Sequence, residues 1–233
     1  MSKRGEKSFQ RIAVYGGSFD PPHNGHLAIA TALVEQFGLD ELIFIPAFHA
    51  PHKVRLHPTS AYDRYAMLCF ITADMPNISV SKMEIEMPER PYSVETLIRL
   101  NAERPNDEIF FVMGADSWMD IKTWREWEKV LSLSNHIVVN RPGYDISFDH
   151  VTDEIRERIV DLRQGEGEKR SGGEEENPRS EIRNPRSILI TDAVEINISA
   201  TEIRKKIRNG DRTWRQDVPV EVAIYIEKYQ IYS

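Results

Sequence analysis

His23 and His26 stand three residues apart in the stretch Ile12–Leu27, IAVYGGSFDPPHNGHL, where an apolar-periodic run (Leu27, Ala30, Leu33, Val34, Phe37) begins. A helix starting there offers unpaired N–H groups and a partial positive charge, which suits phosphate. Two imidazoles at that spacing can lie side by side and donate to one anion. Ahead of them, Ile12-Ala13-Val14-Tyr15 has the length of a short buried strand. Gly16-Gly17 permit a tight turn and close approach of a ligand to the main chain, and Pro21-Pro22 stiffen the loop. Gly16, Gly17, Ser18 and Phe19 can then present backbone donors to a phosphate or nucleotide. An HxxH spacing by itself fits a tight loop with two surface histidines; its place directly after strand and glycines points to function. Neither GxGxxG after this strand nor GxxxxGK[ST] anywhere is present, so a dehydrogenase or P-loop enzyme gains no support.

A second constellation is Ile198-Ser199-Ala200-Thr201-Glu202-Ile203-Arg204. A helix N-terminus, a hydroxyl at Ser199 and the planar fork of Arg204 make an anion clamp that can hold β- and γ-phosphates. A third is Gly114-Ala115-Asp116-Ser117 after the apolar run Ile109–Met113. Its small residue allows close approach, and its acid can accept from ribose hydroxyls. Each of the two is also readable as an ordinary capped helix start.

The string GGSFDPPHNGH resembles the first motif of the nucleotidyltransferases with an HxGH signature, and the chain is most similar to the nicotinate-nucleotide adenylyltransferase family. That resemblance covers nearly all of Arg11–Tyr232 except the stretch Gln164–Ser187. It implies transfer of the adenylyl group of ATP to nicotinate mononucleotide, giving deamido-NAD and pyrophosphate in NAD biosynthesis. A phosphate oxygen attacks the α-phosphorus in line, so the protein's work is positioning and charge stabilisation. The resemblance places that work on His23, His26 and Arg204. It places ATP at Gly16, Gly17, Ser18, Phe19, Gly114, Asp116, Ile198 and Ser199. Ala200 stands where the family's ISSTxIR has a second serine. The acceptor side falls by the same resemblance on Asp20, Lys53, Tyr92, Ser93, Trp124 and Arg141. PHK at Pro51–Lys53 matches the family's PPHK, with Ala50 for its first proline. PYSVETL matches SYTxDTL, with Ser93 for threonine. A hydroxyl there can bind a nicotinate carboxylate, and Trp124 can stack on the ring; core packing is the alternative for Trp124, with Trp118 and Trp127 nearby. Mg²⁺ is expected with ATP, bound mainly through its phosphates. Rival readings are pantetheine-phosphate or nicotinamide-mononucleotide adenylyltransferase, and a non-catalytic nucleotide sensor. His49, His52 and His57 crowd one region, but no cysteine or HExxH spacing supports zinc.

The elements that must position these residues emerge from pattern. Short apolar runs alternate with helical stretches: Ile12–Tyr15, Gly25–Phe37 ended by Gly38, Leu42–Ile45, Ala61–Asp74 with Ser60 and Asp63 as capping pair, Ile78–Ser81, a helix capped by Ser93 and running to Glu103, Ile109–Met113, a helical stretch within Trp118–Ser132, and His136–Asn140. Ile188–Thr191 is a further strand. A Ser199/Glu202 capping box starts a helix to Arg208, and a last helix carries Val222, Ala223, Ile226 and Tyr229 inward. This rhythm predicts an α/β fold: a Rossmann-like, doubly wound parallel sheet with helices on both faces and a small C-terminal helical part. Ligands in such sheets bind where strand order reverses. The two strands followed by glycine-containing polar loops, Ile12–Tyr15 and Ile109–Met113, are therefore expected as neighbours there.

With 233 residues, 40% of them hydrophobic, the chain can bury one sizeable core. Residues 1–10 read as a disordered leader and 11–233 as a single domain. The stretch Gln164–Ser187 has Ile182 as its only aliphatic residue. Ordering it would cost about 1.5 kcal/mol per residue, against about 2–3 kcal/mol from burying one isoleucine, so it reads as a solvated insert. A net charge of −7 argues against a general nucleic-acid surface. The lone Cys69 excludes an intrachain disulfide, and no apolar run reaches membrane-spanning length. The expectation is a cytoplasmic protein, free of nucleic acid and membrane and compatible with a homo-oligomer.

Overall fold

The computed structural model describes residues 9–48, 59–87, 91–140, 144–163, 186–194, 196 and 198–232. The expected leader (apart from residues 9 and 10), Lys53, Arg141, His49, His52, His57 and nearly all of the insert lie outside them.

Apolar runs flanked by glycine, proline or charge become strands, all parallel: β1 Arg11–Gly17, β2 Glu41–Pro46, β3 Ile78–Val80, β4 Glu108–Gly114, β5 Asn135–Val139, β6 Ile159–Asp161 and β7 Ile188–Thr191. They form one seven-stranded sheet in the order β3-β2-β1-β4-β5-β7-β6. Strand order reverses between β1 and β4, which pair from Arg11↔Glu108 to Tyr15↔Val112. The two glycine-bearing strands are neighbours at the switch point, as their loops foretold.

Side chains alternate along each strand, so β1 sends Ile12 and Val14 to one face and Ala13 to the other. On the first face they meet Val94, Leu97 and Leu100 of α3 (Ser93–Glu103), Trp118 of α4 (Ala115–Met119) and Leu131 of α5 (Trp127–Leu133). On the second, Ala30, Leu33 and Phe37 of α1 (Asn24–Phe37) and Leu68 of α2 (Ala61–Thr72) close the core. Both faces are covered, which is why these strands read as unbroken apolar runs. This is an open, doubly wound α/β, Rossmann-like sheet. After α6 (Asp153–Arg156) come α7 (Ala200–Arg208) and α8 (Val220–Tyr229). Met67 of α2 joins Ile203, Trp214, Val222 and Ile226 in a third, smaller cluster that docks this C-terminal part.

Several local expectations are corrected. Tyr92, not Ser93, is the N-cap of α3, because Glu95 reaches back to the Tyr92 N–H at 2.8 Å. Ser199 does sit at the N-cap of α7, but its hydroxyl makes no capping bond; Glu202 pairs with Lys205 instead of closing a box. Ser60 does cap α2, accepting from Tyr62 N–H. Trp118–Ser132 splits into the end of α4, a 3-10 turn at Ile121–Thr123 and α5. Tyr229 is exposed against Tyr225 rather than buried. β6 and α6, only three and four residues long, were not foreseen.

Candidate active site

The β1–α1 loop is built from the strand end upward. Gly17 has no room for a side chain: a Cβ there would lie 2.9 Å from Cζ of Phe19. Phe19 itself adopts φ 44°, a left-handed conformation that costs a bulky residue roughly 1–2 kcal/mol. Its ring is buried edge-on against Tyr15, Phe44 and His26. Strain held in a loop by packing on every side is a common mark of a working site.

α1 then begins with His23 as N-cap. His26, one turn in, accepts the His23 backbone N–H on Nδ1 at 3.2 Å. In a neutral imidazole that leaves the proton on Nε2, a donor aimed away from the helix end. The two rings stack, centroids 3.6 Å apart and 23° between planes.

The remote clamp meets this loop. Arg204 Nη1 donates to the Asp20 carbonyl at 2.5 Å and Nη2 to Thr201 Oγ1 at 3.3 Å. Asn24 donates its backbone N–H to Asp217 and its side-chain amide to Gln216, both at 3.0 Å. A Cβ at Gly25 would touch Ile196. The loop that carries His23 and His26 thus shares one corner with Ile196, Thr201 and Arg204. Ile198 offers only its backbone there, since its side chain packs against the C-terminal cluster.

On the other side of the glycine turn, beyond the ends of β1 and β4, opens a cavity of about 520 Å³. Gly16, Gly17 and Ser18 form one wall, Gly114 and Asp116 another, and Tyr92, Ser93 and Trp124 a third. The expected acceptor residues Tyr92, Ser93 and Trp124 are brought together, and Gly114 and Asp116 stand with them rather than with Ser199. A Cβ at Gly114 would meet nothing within 4 Å, so its backbone is open to a ligand. Trp124 lines the cavity while packing edge-on to Phe111, so a core contact and a place at the cavity coexist. Asp20 does not face this cavity. It is buried, and its carboxylate accepts from the Tyr232 hydroxyl at 2.6 Å, which commits it to holding the loop. Burial and the adjacent Asp20 push the Tyr232 phenol's pKa upward.

Two residues went unnoticed in the sequence. Glu84 lines the cavity and accepts from Thr96 Oγ1 at 2.8 Å. Desolvation raises its carboxyl to about 7, opposed by the Thr96 bond and the nearby Arg64 charge. Arg64 is 1% exposed and donates to four main-chain carbonyls. Its signal was present: Ala61, Arg64, Met67 and Leu68 share the buried stripe of α2, so an arginine occupies an apolar position.

The cytidylyltransferase-like family matches residues 14–206. A protein of Thermus thermophilus named "Probable nicotinate-nucleotide adenylyltransferase" is 34% identical over 95% of this chain and 99% of its own. One of the same name from Citrifermentans bemidjiense is 36% identical over 95% and 98%. A solved structure of Plasmodium falciparum nicotinic acid mononucleotide adenylyltransferase complexed with NaAD has the same fold, with a TM-score of 0.69, 20% identity and coverage of 96% of this chain and 97% of that one. The loop at the switch point, the cavity beside it and this likeness along the whole chain agree: the chain belongs to the cytidylyltransferase-like family, among the nicotinate-nucleotide adenylyltransferases.

Proposed function

We propose that this protein transfers the adenylyl group of ATP to nicotinate mononucleotide, releasing pyrophosphate and forming deamido-NAD. The observation that carries the reading is the contact of Arg204 with the Asp20 carbonyl. It joins the imidazole pair and the clamp, far apart in sequence, into one cationic corner on one side of the glycine turn. The acceptor-sized cavity lies on the other side.

In this reading the triphosphate lies over the Gly16–Phe19 backbone, with its β- and γ-phosphates toward Ser199 and Arg204. His23 and His26 donate to oxygens that gain charge as the α-phosphorus passes between the acceptor phosphate and pyrophosphate. The pyridine ring lies against Trp124, its carboxylate toward the first turn of α3 at Tyr92 and Ser93. Asp116 accepts from a ribose hydroxyl. Holding two substrates in line supplies the larger share of the acceleration, about 7–11 kcal/mol when alignment is good. Magnesium enters with ATP. In this reading its ligands are mainly the phosphate oxygens and water. No helix among those residues is long and apolar enough to cross a membrane. The single domain, with residues 164–187 as an insert, and the places of Lys53 and Arg141 on the acceptor side belong to the same proposal.

Initial rates of pyrophosphate release with nicotinate mononucleotide, nicotinamide mononucleotide and phosphopantetheine test it. The acid mononucleotide should give the highest kcat/KM. Turnover of phosphopantetheine alone would refute the assignment, and ATP binding without turnover of any acceptor would favour a sensor.

A further inference from the structure

Arg64 touches neither the cavity nor solvent, yet its donors reach three separate segments. Nη1 donates to the Ser18 carbonyl at 2.5 Å. Nη2 donates to Ala47 at 2.6 Å and to Phe48 at 3.3 Å, and Nε to Thr59 at 3.1 Å. The Ser18 contact matters because of peptide geometry. In a trans peptide, the carbonyl of one residue and the N–H of the next point in opposite directions. A Ser18 carbonyl drawn inward onto Arg64 therefore turns the Phe19 N–H the opposite way, away from Arg64. Phe19 is also the residue held at φ 44°, a conformation its own side chain disfavours, so something must keep it there.

We propose that Arg64 is a positioning residue for the nucleotide: it fixes the Ser18–Phe19 peptide from below, so that the Phe19 N–H faces bound phosphate. A lysine cannot replace it, because a single ammonium lacks the planar fork that spans three segments. Without the anchor the strained peptide relaxes by rotation, and rotation presents a carbonyl to the phosphate in place of an N–H. The ligand's identity rests on the reading given above; the geometry of the anchor does not.

The test is Arg64→Lys together with amide spectra of protein labelled with ¹⁵N-phenylalanine, the Phe19 signal assigned through Phe19→Leu. In the unaltered protein, Mg-ATP should shift the Phe19 amide strongly. In Arg64→Lys that shift should vanish, with KM for ATP raised at least about tenfold, the scale of a lost charge-assisted hydrogen bond, and KM for the mononucleotide little changed. Equal rises in both constants, or an unchanged KM for ATP, overturn the proposal. Should Arg64→Lys lose its cooperative thermal transition, the unaltered protein decides alone. ATP that shifts other amides but not that of Phe19 overturns this inference only; ATP that shifts none overturns the adenylyltransferase reading as well.

Discussion

The rings of His23 and His26 stack face to face because the His26 Nδ1 atom is fastened to the His23 backbone N–H. One nitrogen of His26, Nδ1, is therefore structural, and the role proposed above falls to Nε2. His26→Asn keeps an acceptor near the Nδ1 position and removes Nε2. Its thermal midpoint should stay near that of the unaltered protein, while turnover falls by at least about 10² from lost charge stabilisation. His26→Ala should lose both. Pyrophosphate release and thermal melts check it; an unaltered rate in either variant contradicts the assignment.

Gly17→Ala should damage the loop far more than Gly114→Ala. The new Cβ meets the buried Phe19 ring at 2.9 Å in the first case and nothing within 4 Å in the second. Overpacking of this kind costs about 1–3 kcal/mol. Chemical denaturation should show Gly17→Ala destabilised on that scale and Gly114→Ala within about 0.5 kcal/mol, the usual range away from packed features. Reversal of that order would mean the loop is not packed as described.

Trp124→Ala should raise KM for the mononucleotide by more than it raises KM for ATP. Its indole lines the cavity beside Tyr92 and Ser93 and rests on Phe111. Initial rates with each substrate varied in turn separate the two constants. Equal weakening would reduce Trp124 to a packing residue.

His136 gives the fold a defined sensitivity to acid. It is fully buried in β5, and desolvation with the Arg158 charge lowers its pKa to about 3. The unfolded chain takes up this proton near pH 6.5 and the folded chain does not, so stability is greatest above 6.5. It declines by about 1.4 kcal/mol per pH unit as pH falls toward 3. Urea unfolding between pH 4 and 7 should show this slope as the difference between the unaltered protein and His136→Gln, because Glu84 titrates in the same window with the opposite sign.

Glu84 acts with the opposite sign. The folded state holds its proton up to about 7, whereas the unfolded chain releases it near the ordinary glutamate value. Its contribution is therefore complete at low pH and is lost as pH rises through 7. Glu84→Gln, which can still accept from Thr96, should be the more stable form at pH 8 and equal to the unaltered protein near pH 4. Identical melts at pH 8 would place the carboxylate in better-solvated surroundings.

How much could be read from sequence depended on whether an interaction is local. Strand β1, the stop of α1 at Gly38 in its left-handed cap, and the pairing of β1 with β4 all follow from short-range pattern and loop composition. The meeting of Arg204 with the Asp20 loop followed only from the family resemblance, since nothing local links them. The bond between Asp20 and Tyr232 was not legible, because the two lie 212 positions apart. Ser199 looked like a cap by type, yet capping needs an orientation that residue type does not fix. Arg64 was legible in principle, as a charge on an apolar stripe, but the carbonyls that explain it come from loops with no pattern of their own.

The Asp20–Tyr232 hydrogen bond spans 212 positions, and it bears on synthesis. A ribosome emits the first motif long before its tyrosine tether. The described strands, which end with β7 at Thr191, all precede that tether, so the sheet can form around β1 while the loop stays untied at Asp20. The first motif gains this anchor only after the strands of the core have been made.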